Sequence, residues 1–223
     1  LALGPERVSL VWLNSPSNPT GRVLGVEHLA KVVEWARSQG AVVASDECYF
    51  ELGWDAEPVS ILDPRVNGGS FEGVLAVHSL SKRSNLAGYR EGFVLGDPAI
   101  VGSLLEARKH MGLMVPGPVQ DASIAALDDD VHVAEQRGRY GARRLRLRRA
   151  LEGAGFTIEH SEAGLYLWST RGEDCWDTVR WLSERGILVA PGEFYGAGGQ
   201  QFVRIALTET DERIDAAVER LAL

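Results

Sequence analysis

The chain is short of lysine. Lys31, Lys82 and Lys109 are its three lysines in 223 residues, against twenty arginines. A lysine kept in such company raises the question of what it does that arginine cannot. Cysteine is scarcer still. Cys48 and Cys175 are too few and too far apart for a disulfide framework or a zinc site, so no metal is expected and a reducing, cytoplasmic setting fits. No apolar run reaches the roughly 20 residues of a membrane-spanning helix, and no membrane association is expected. A basic excess is missing as well. With 31 acidic residues against 23 basic ones the net charge is −8, which argues against a nucleic-acid partner. The first apolar run has neither the basic flank nor the cleavage site of a secretory leader.

What remains is ample for a core: 45% of the residues are hydrophobic, enough for one large domain or two smaller ones. Residues 7–13, "RVSLVWL", are rich in β-formers and run into the turn cluster "NSPSNPTG". Val26, Leu29, Val32, Val33 and Ala36 then recur at helical spacing, with Gly40 placed as a C-terminal cap. "AVVAS" (41–45), "GVLAVHS" (73–79) and "GFVLG" (92–96) read as strands. Strand, helix, strand, with runs apolar on both faces, predicts part of a parallel α/β sheet. Helical patterns follow over 98–111, 118–128 and 131–152. Beyond them "FTIE", "LYLW", "ILVA" and "FVRIAL" read as strands. A helix capped by Asp174, with Val179 and Leu182 inward, and a last helix with Ile214, Val218 and Leu221 complete the pattern. The expected borders are a large domain over 1–115, connecting helices over 116–150 and a small α+β domain over 151–223.

Polar residues gather where these strands end. Asn18 lies just past the first strand, Asp46 follows the second, and Ser79 and Lys82 follow the third. In open α/β sheets, ligands bind outside the carboxyl ends of the strands. Taken singly, each residue has an ordinary explanation as a turn former, a strand terminator or a solvent-facing charge. Together they suit one chemistry. A lysine that forms an imine needs a carbonyl cofactor. Pyridoxal 5′-phosphate further needs an acid for its ring nitrogen and a cradle for its phosphate. Asp46 offers the first, and Ser79 and Arg90 the second, because arginine's planar fork matches a phosphate. Tyr49, three residues after Asp46, is placed to reach the ring oxygen beside Asn18.

"SPSNPTG", "SDECY", "SLSKRSNLAGYREGF" and "FVRIAL", in this order, resemble the signature segments of class I/II aminotransferases of fold type I. The resemblance runs from about residue 8 to the C-terminus. It implies that Lys82 forms the imine with the cofactor and that Asp46 pairs with its ring nitrogen. It also implies that Asn18 and Tyr49 bond the ring oxygen, and that Ser79 and Arg90, with Ser81, hold the phosphate. Arg204, inside an otherwise apolar strand, is implied to bind the substrate α-carboxylate; a charge there is costly unless it finds a partner. Within the family, "SDECYFELGWD", "HSLSKRSNLAGYR" and "APGEFYG" are most similar to N-succinyldiaminopimelate aminotransferases of lysine biosynthesis. The implied partners are a small amino acid and a 2-oxo acid such as 2-oxoglutarate, and a homodimer is expected. The chain begins Leu1-Ala2-Leu3-Gly4, and family members carry a long segment before the "NPTG" stretch. The fold expected is therefore the C-terminal part of a fold type I aminotransferase: a mostly parallel, helix-flanked sheet with a smaller α+β domain. Two other functions stay open: a different pyridoxal-phosphate reaction on the same scaffold, such as a lyase, and the ligand-sensing domain of a regulator.

Other motifs read more plainly. Lys31 and Lys109 sit in helical patterns and are expected in solvent. "EQRGRYGARRLRLRRALE" (135–152) holds seven arginines and reads as the solvated face of an interdomain helix. "DDD" (128–130) reads as a helix end or loop rather than a metal site. His78, just before Ser79, reads as a packed strand residue, with a place near the site as the alternative, and Cys48 lies between two site candidates without a role.

Overall fold

The computed structural model describes residues 8–222; Arg7, the first residue of the expected opening strand, lies outside them. Strand β1 (Leu10–Asn14), helix α1 (Val26–Gln39) and strand β2 (Val42–Asp46) form a strand–helix–strand unit. The strands pair in parallel, Leu10 opposite Val42 and Asn14 opposite Asp46. Helix α1 stops where its glycine allows it to. Gly40 takes φ +64°, and its N–H returns to the Ala36 and Arg37 carbonyls. The helix buries Leu29, Val33 and Ala36 in a core with Val43, Ile61, Val74 and Ala76. Each fully buried aliphatic side chain there contributes roughly 1.5–3 kcal/mol.

Past the short helix α2 (Pro64–Asn67), strand β3 (Val74–Ser79) adds in parallel to β2. Strand β4 (Gly92–Gly96) then pairs with β3 antiparallel, so the sheet is mixed rather than wholly parallel. The cause is local. The link is folded into the one-turn helix α3 (Leu80–Arg83) and a 3-10 turn (Ala87–Tyr89), which leave the chain at the same end of the sheet. Asp97 caps the next helix, α4 (Pro98–His110), by accepting from the Ala99 and Ile100 amides. Helices α5 (Gly117–Leu127) and α6 (Val131–Gly153) follow. Among the described residues no helix is long and apolar enough to cross a membrane.

The chain folds as two compact units. The first holds the residues up to Pro16, Val23–Glu51 and Pro58–Val133; the second holds Ser17–Arg22, Leu52–Glu57 and the chain from Ala134 on. Of the expected borders, 115 falls inside the first unit and 150 inside α6.

The second unit contains strands β5 (Thr157–Glu159), β6 (Tyr166–Thr170), β7 (Ala190–Pro191) and β8 (Val203–Ala206), antiparallel in the order β5-β6-β8-β7. Helix α7 (Cys175–Ser183) is capped by Asp174 as its sequence predicts, but its buried face is Cys175, Thr178 and Leu182, with Val179 half-buried. The expected strand "ILVA" shrinks to β7, since only Ala190 and Pro191 pair with β8 while Leu188 stays 90% exposed. Helix α8 (Asp211–Leu221) buries Ile214 and Leu221. Together with Leu147 and Leu151 of α6, Leu182 and Ile205, these two line an apolar cavity of about 480 Å³.

The arginine-rich stretch is only in part the solvated face its composition suggests: Arg137, Arg139 and Arg149 are exposed, but others are not. Arg143 and Arg144 are buried. Arg143 Nε pairs with Asp211 at 2.8 Å; Arg144 pairs with Asp55 and donates to the Ser161 carbonyl at 2.9 Å. Arg137 donates to the Gly53 carbonyl at 2.6 Å, and Arg146 reaches Asp211 and Asp215. From Ala134 on, the run ties α6 to other parts of the second unit through pairs whose acidic partners are half exposed. In the same unit Gly21, at φ +67°, lies so close to its neighbours that a Cβ would stand 2.5 Å from the Ala163 carbonyl oxygen. Gly21→Ala is expected to lower stability by more than about 1 kcal/mol, read from denaturant unfolding of the purified variant.

Candidate active site

Each polar residue of the first unit is set by the strand end that carries it. Asp46 is the last residue of β2 and half-buried; its Oδ1 accepts from the Cys48 amide at 3.1 Å, which turns the chain sharply. Ser79 is the last residue of β3 and the N-cap of α3, accepting from the Ser81 amide at 3.1 Å. Its hydroxyl also lies 2.8 Å from Ser81 Oγ and 3.2 Å from the Glu91 carbonyl oxygen. Helix α3 is anchored by fully buried Leu80, so Ser81 and Lys82 are presented one and two residues later. Lys82 Nζ stands 5.9 Å from the ring centroid of buried Tyr49.

Arg90 ends the 3-10 turn at φ +59°, a left-handed conformation that costs a non-glycine residue about 1 kcal/mol or more. Its Nη1 donates to the Ala87 carbonyl at 3.0 Å. Asp46, Ser79, Ser81, Lys82 and Arg90 line one cleft of about 350 Å³, with Cys48 and His78 beside them. A carboxylate, a primary amine, two hydroxyls and a guanidinium thus share one small cleft, the size of which lies at the lower end of ligand pockets. That donor set fits pyridoxal phosphate: an acid for the ring nitrogen, an amine for the aldehyde, and hydroxyls with a guanidinium for the phosphate.

One buried acid, in contact with the cleft residue His78, is missing from the sequence reading. Glu47 is fully buried; its Oε1 accepts from the Ile61 amide at 2.7 Å, and Oε2 lies 3.3 Å from His78 Nε2. His78 in turn stacks on Phe93 at 5.4 Å and lines the cleft. Strand alternation does place residue 47 opposite Asp46, but nothing in one sequence separates such an acid from a solvated one. Cys48 is disfavoured as a nucleophile. Burial, reinforced by the Asp46 charge and hydrogen bond, pushes its thiol up to about 12. A raised thiol holds less thiolate, so alkylation of Cys48 in the folded protein near pH 8 is expected to run about a thousandfold slower than for a free cysteine. Mass spectrometry of iodoacetamide-treated protein checks it.

Asn18 and Arg204 belong to the second unit, where the structure joins them to each other. Arg204 Nη1 donates to Asn18 Oδ1 at 3.0 Å. The guanidinium lies over the Tyr166 ring at 4.0 Å and the Tyr195 ring at 4.9 Å, and its Nε is buried without a hydrogen-bond partner. The strand charge is thus met by two ring faces and one amide. Among the described residues no group of three or more His, Cys, Asp or Glu side chains is arranged to hold a metal ion.

Comparison with known proteins follows the same lines. The family profile described as aminotransferase class I and II matches residues 2–221. The chain is 66% identical over 219 residues to the probable aminotransferase Rv1178 of Mycobacterium tuberculosis, covering 98% of this chain and 52% of that protein. It is 65% identical over 221 residues to the 4-dedimethylamino-4-oxo-anhydrotetracycline transaminase OxyQ of Streptomyces rimosus, covering 99% of this chain and 62% of that one. Among solved structures, the N-succinyldiaminopimelate aminotransferase of Mycobacterium tuberculosis superposes with a TM-score of 0.87 at 28% identity, over 99% of this chain and 59% of that chain. The chain therefore spans about half to three fifths of the length of the relatives it matches.

Proposed function

We propose, because this chain belongs to the class I and II aminotransferase family, that the intact protein transfers an amino group between an amino acid and a 2-oxo acid. Pyridoxal 5′-phosphate is the cofactor of this reading. The observation that carries it is the single cleft shared by Asp46, Ser79, Ser81, Lys82 and Arg90. When bound, pyridoxal phosphate supplies an aldehyde that holds the substrate amine and a ring that takes up the electrons of a deprotonated carbon. Lys82 would hold the cofactor through its aldehyde and, as a free amine, would take a proton from the substrate Cα. Asp46 would keep a proton on the ring nitrogen, Tyr49 and Asn18 would each serve the ring oxygen, and Ser79, Ser81 and Arg90 would bind the phosphate. Arg204, with its plane held by two tyrosines, grips the substrate α-carboxylate, so that the Cα–H bond has one orientation.

Two substrates are in contention. The motif resemblance and the superposition at TM-score 0.87 support N-succinyldiaminopimelate with 2-oxoglutarate. The 65% identity to a transaminase named for a cyclic ketone supports a bulkier acceptor. A homodimer in the cytoplasm completes the proposal. Incubating the intact protein with glutamate and each candidate amino acceptor tests it: 2-oxoglutarate formation that depends on an acceptor is expected, and its absence across a broad panel of 2-oxo acids and ketones overturns the reading.

A further inference from the structure

We infer that Arg83 and His132 are positioning residues for Lys82, a strap on the lysine-bearing turn built from residues that do not line the cleft. Helix α3 has four residues, too few to be stable alone, because closing a first helical turn fixes several residues for a single hydrogen bond. Its first residue is secured by fully buried Leu80. Its last residue, Arg83, with a side chain only 12% exposed, is secured by its fork. Nη1 donates to the Ala126 carbonyl at 2.7 Å, near the end of α5, and lies 3.3 Å from Ser84 Oγ. Nη2 donates to Asp130 at 2.5 Å, just before α6, and Nε is 3.9 Å from Glu51.

The next residue repeats the tie. Ser84 caps α3, and its Oγ lies 2.9 Å from His132 Nε2. His132 Nδ1 is 3.0 Å from Asp129, which also accepts from the Val131 amide at 2.8 Å. The acidic triplet thus gains separate tasks: Asp128 caps α5, Asp129 orients His132, and Asp130 pairs with Arg83. Asp130 is 91% exposed on its side chain, and such an ion pair contributes little by itself. The strap's strength therefore rests on the fork, which reaches a carbonyl and a carboxylate at once as a lysine cannot. The turn that presents Lys82 is in this way fixed to the α5–α6 junction, all within the first unit.

The effect on turnover rests on the reading of Lys82 as the cofactor lysine; the effect on its accessibility does not. The scarcity of lysine makes that separable. Cofactor-free intact protein is trace-acetylated with acetic anhydride, and the ratio of Lys82 modification to that of Lys31 and Lys109 is read by mass spectrometry. Arg83→Met frees the turn and is expected to raise that ratio roughly threefold to tenfold. Arg83→Lys, which keeps the charge but not the fork, is expected to follow Arg83→Met rather than the parent. In the cofactor-loaded protein, kcat falls while KM for the amino acid stays. Should Arg83→Met fail to fold, His132→Ala, which removes the Ser84 and Asp129 contacts of His132 and leaves the Arg83 fork in place, is read the same way with an expected rise of about twofold. A Lys82 ratio unchanged from the parent in the folded variant overturns the assignment, whatever happens to turnover. Loss of turnover in the parent with the ratio still responsive overturns the aminotransferase reading instead.

Discussion

Lys82→Ala is expected to abolish amino transfer by the intact protein, by more than about 10⁴-fold, and to remove its visible imine absorption. Non-covalent cofactor binding should persist in part, because Asp46, Ser79, Ser81 and Arg90 remain on the same cleft wall. The effect is so large because, on the proposed reading, one amine does two jobs, holding the cofactor and moving the substrate proton. The other lysines offer no substitute: Lys31 is exposed on α1, and Lys109 is tied to Glu106 at 2.5 Å on an exposed turn of α4. Absorption spectra and a coupled glutamate assay of the variant check both parts.

Asp46→Asn carries the second largest expected effect. The amide keeps the size of the side chain and its Oδ1 bond to the Cys48 amide, but not the negative charge. By analogy with other broken buried pairs the loss is on the order of 3–5 kcal/mol of transition-state stabilisation, about two to four orders of magnitude in rate. Steady-state kinetics of the variant measure it. A second readout is independent of catalysis. The Asp46 charge is one of the causes that raise the Cys48 thiol, after burial. Removing that charge lowers the thiol, so Cys48 in Asp46→Asn should alkylate faster than in the parent, while buried Cys175 does not change.

Much of the cleft is legible in the sequence because the chain follows a simple rule there. Apolar runs end in polar residues, Ser45-Asp46 and His78-Ser79, and the carboxyl ends of neighbouring strands meet at one edge. Asp46 and Ser79 terminate β2 and β3, strands that pair directly, and this is enough to bring acid and amine together. Helix borders are equally plain where a cap announces them, as at Gly40, Asp97 and Asp174. What the sequence hides is any partner far along the chain. The arginines of α6 look solvated because periodicity cannot show that Asp55 and Asp211 come to meet Arg144 and Arg143. Arg204 stands out as a charge in an apolar strand, yet the rings of Tyr166 and Tyr195 and the amide of Asn18 become its neighbours only through folding. Residues 187–189 have strand propensity and no partner strand, and propensity without pairing does not make a ladder. Glu47 is the deepest case, an acid with no exposure whose role depends on His78 and the Ile61 amide.

Borohydride reduction of the intact protein loaded with pyridoxal phosphate, followed by peptide mapping, goes straight to the shared cleft. A reduced pyridoxyl mass on Lys82 alone, lost when Lys82 is replaced by alanine, is the predicted result. The same mass on Lys31 or Lys109, or on no lysine in a protein that still transfers amino groups, would contradict it.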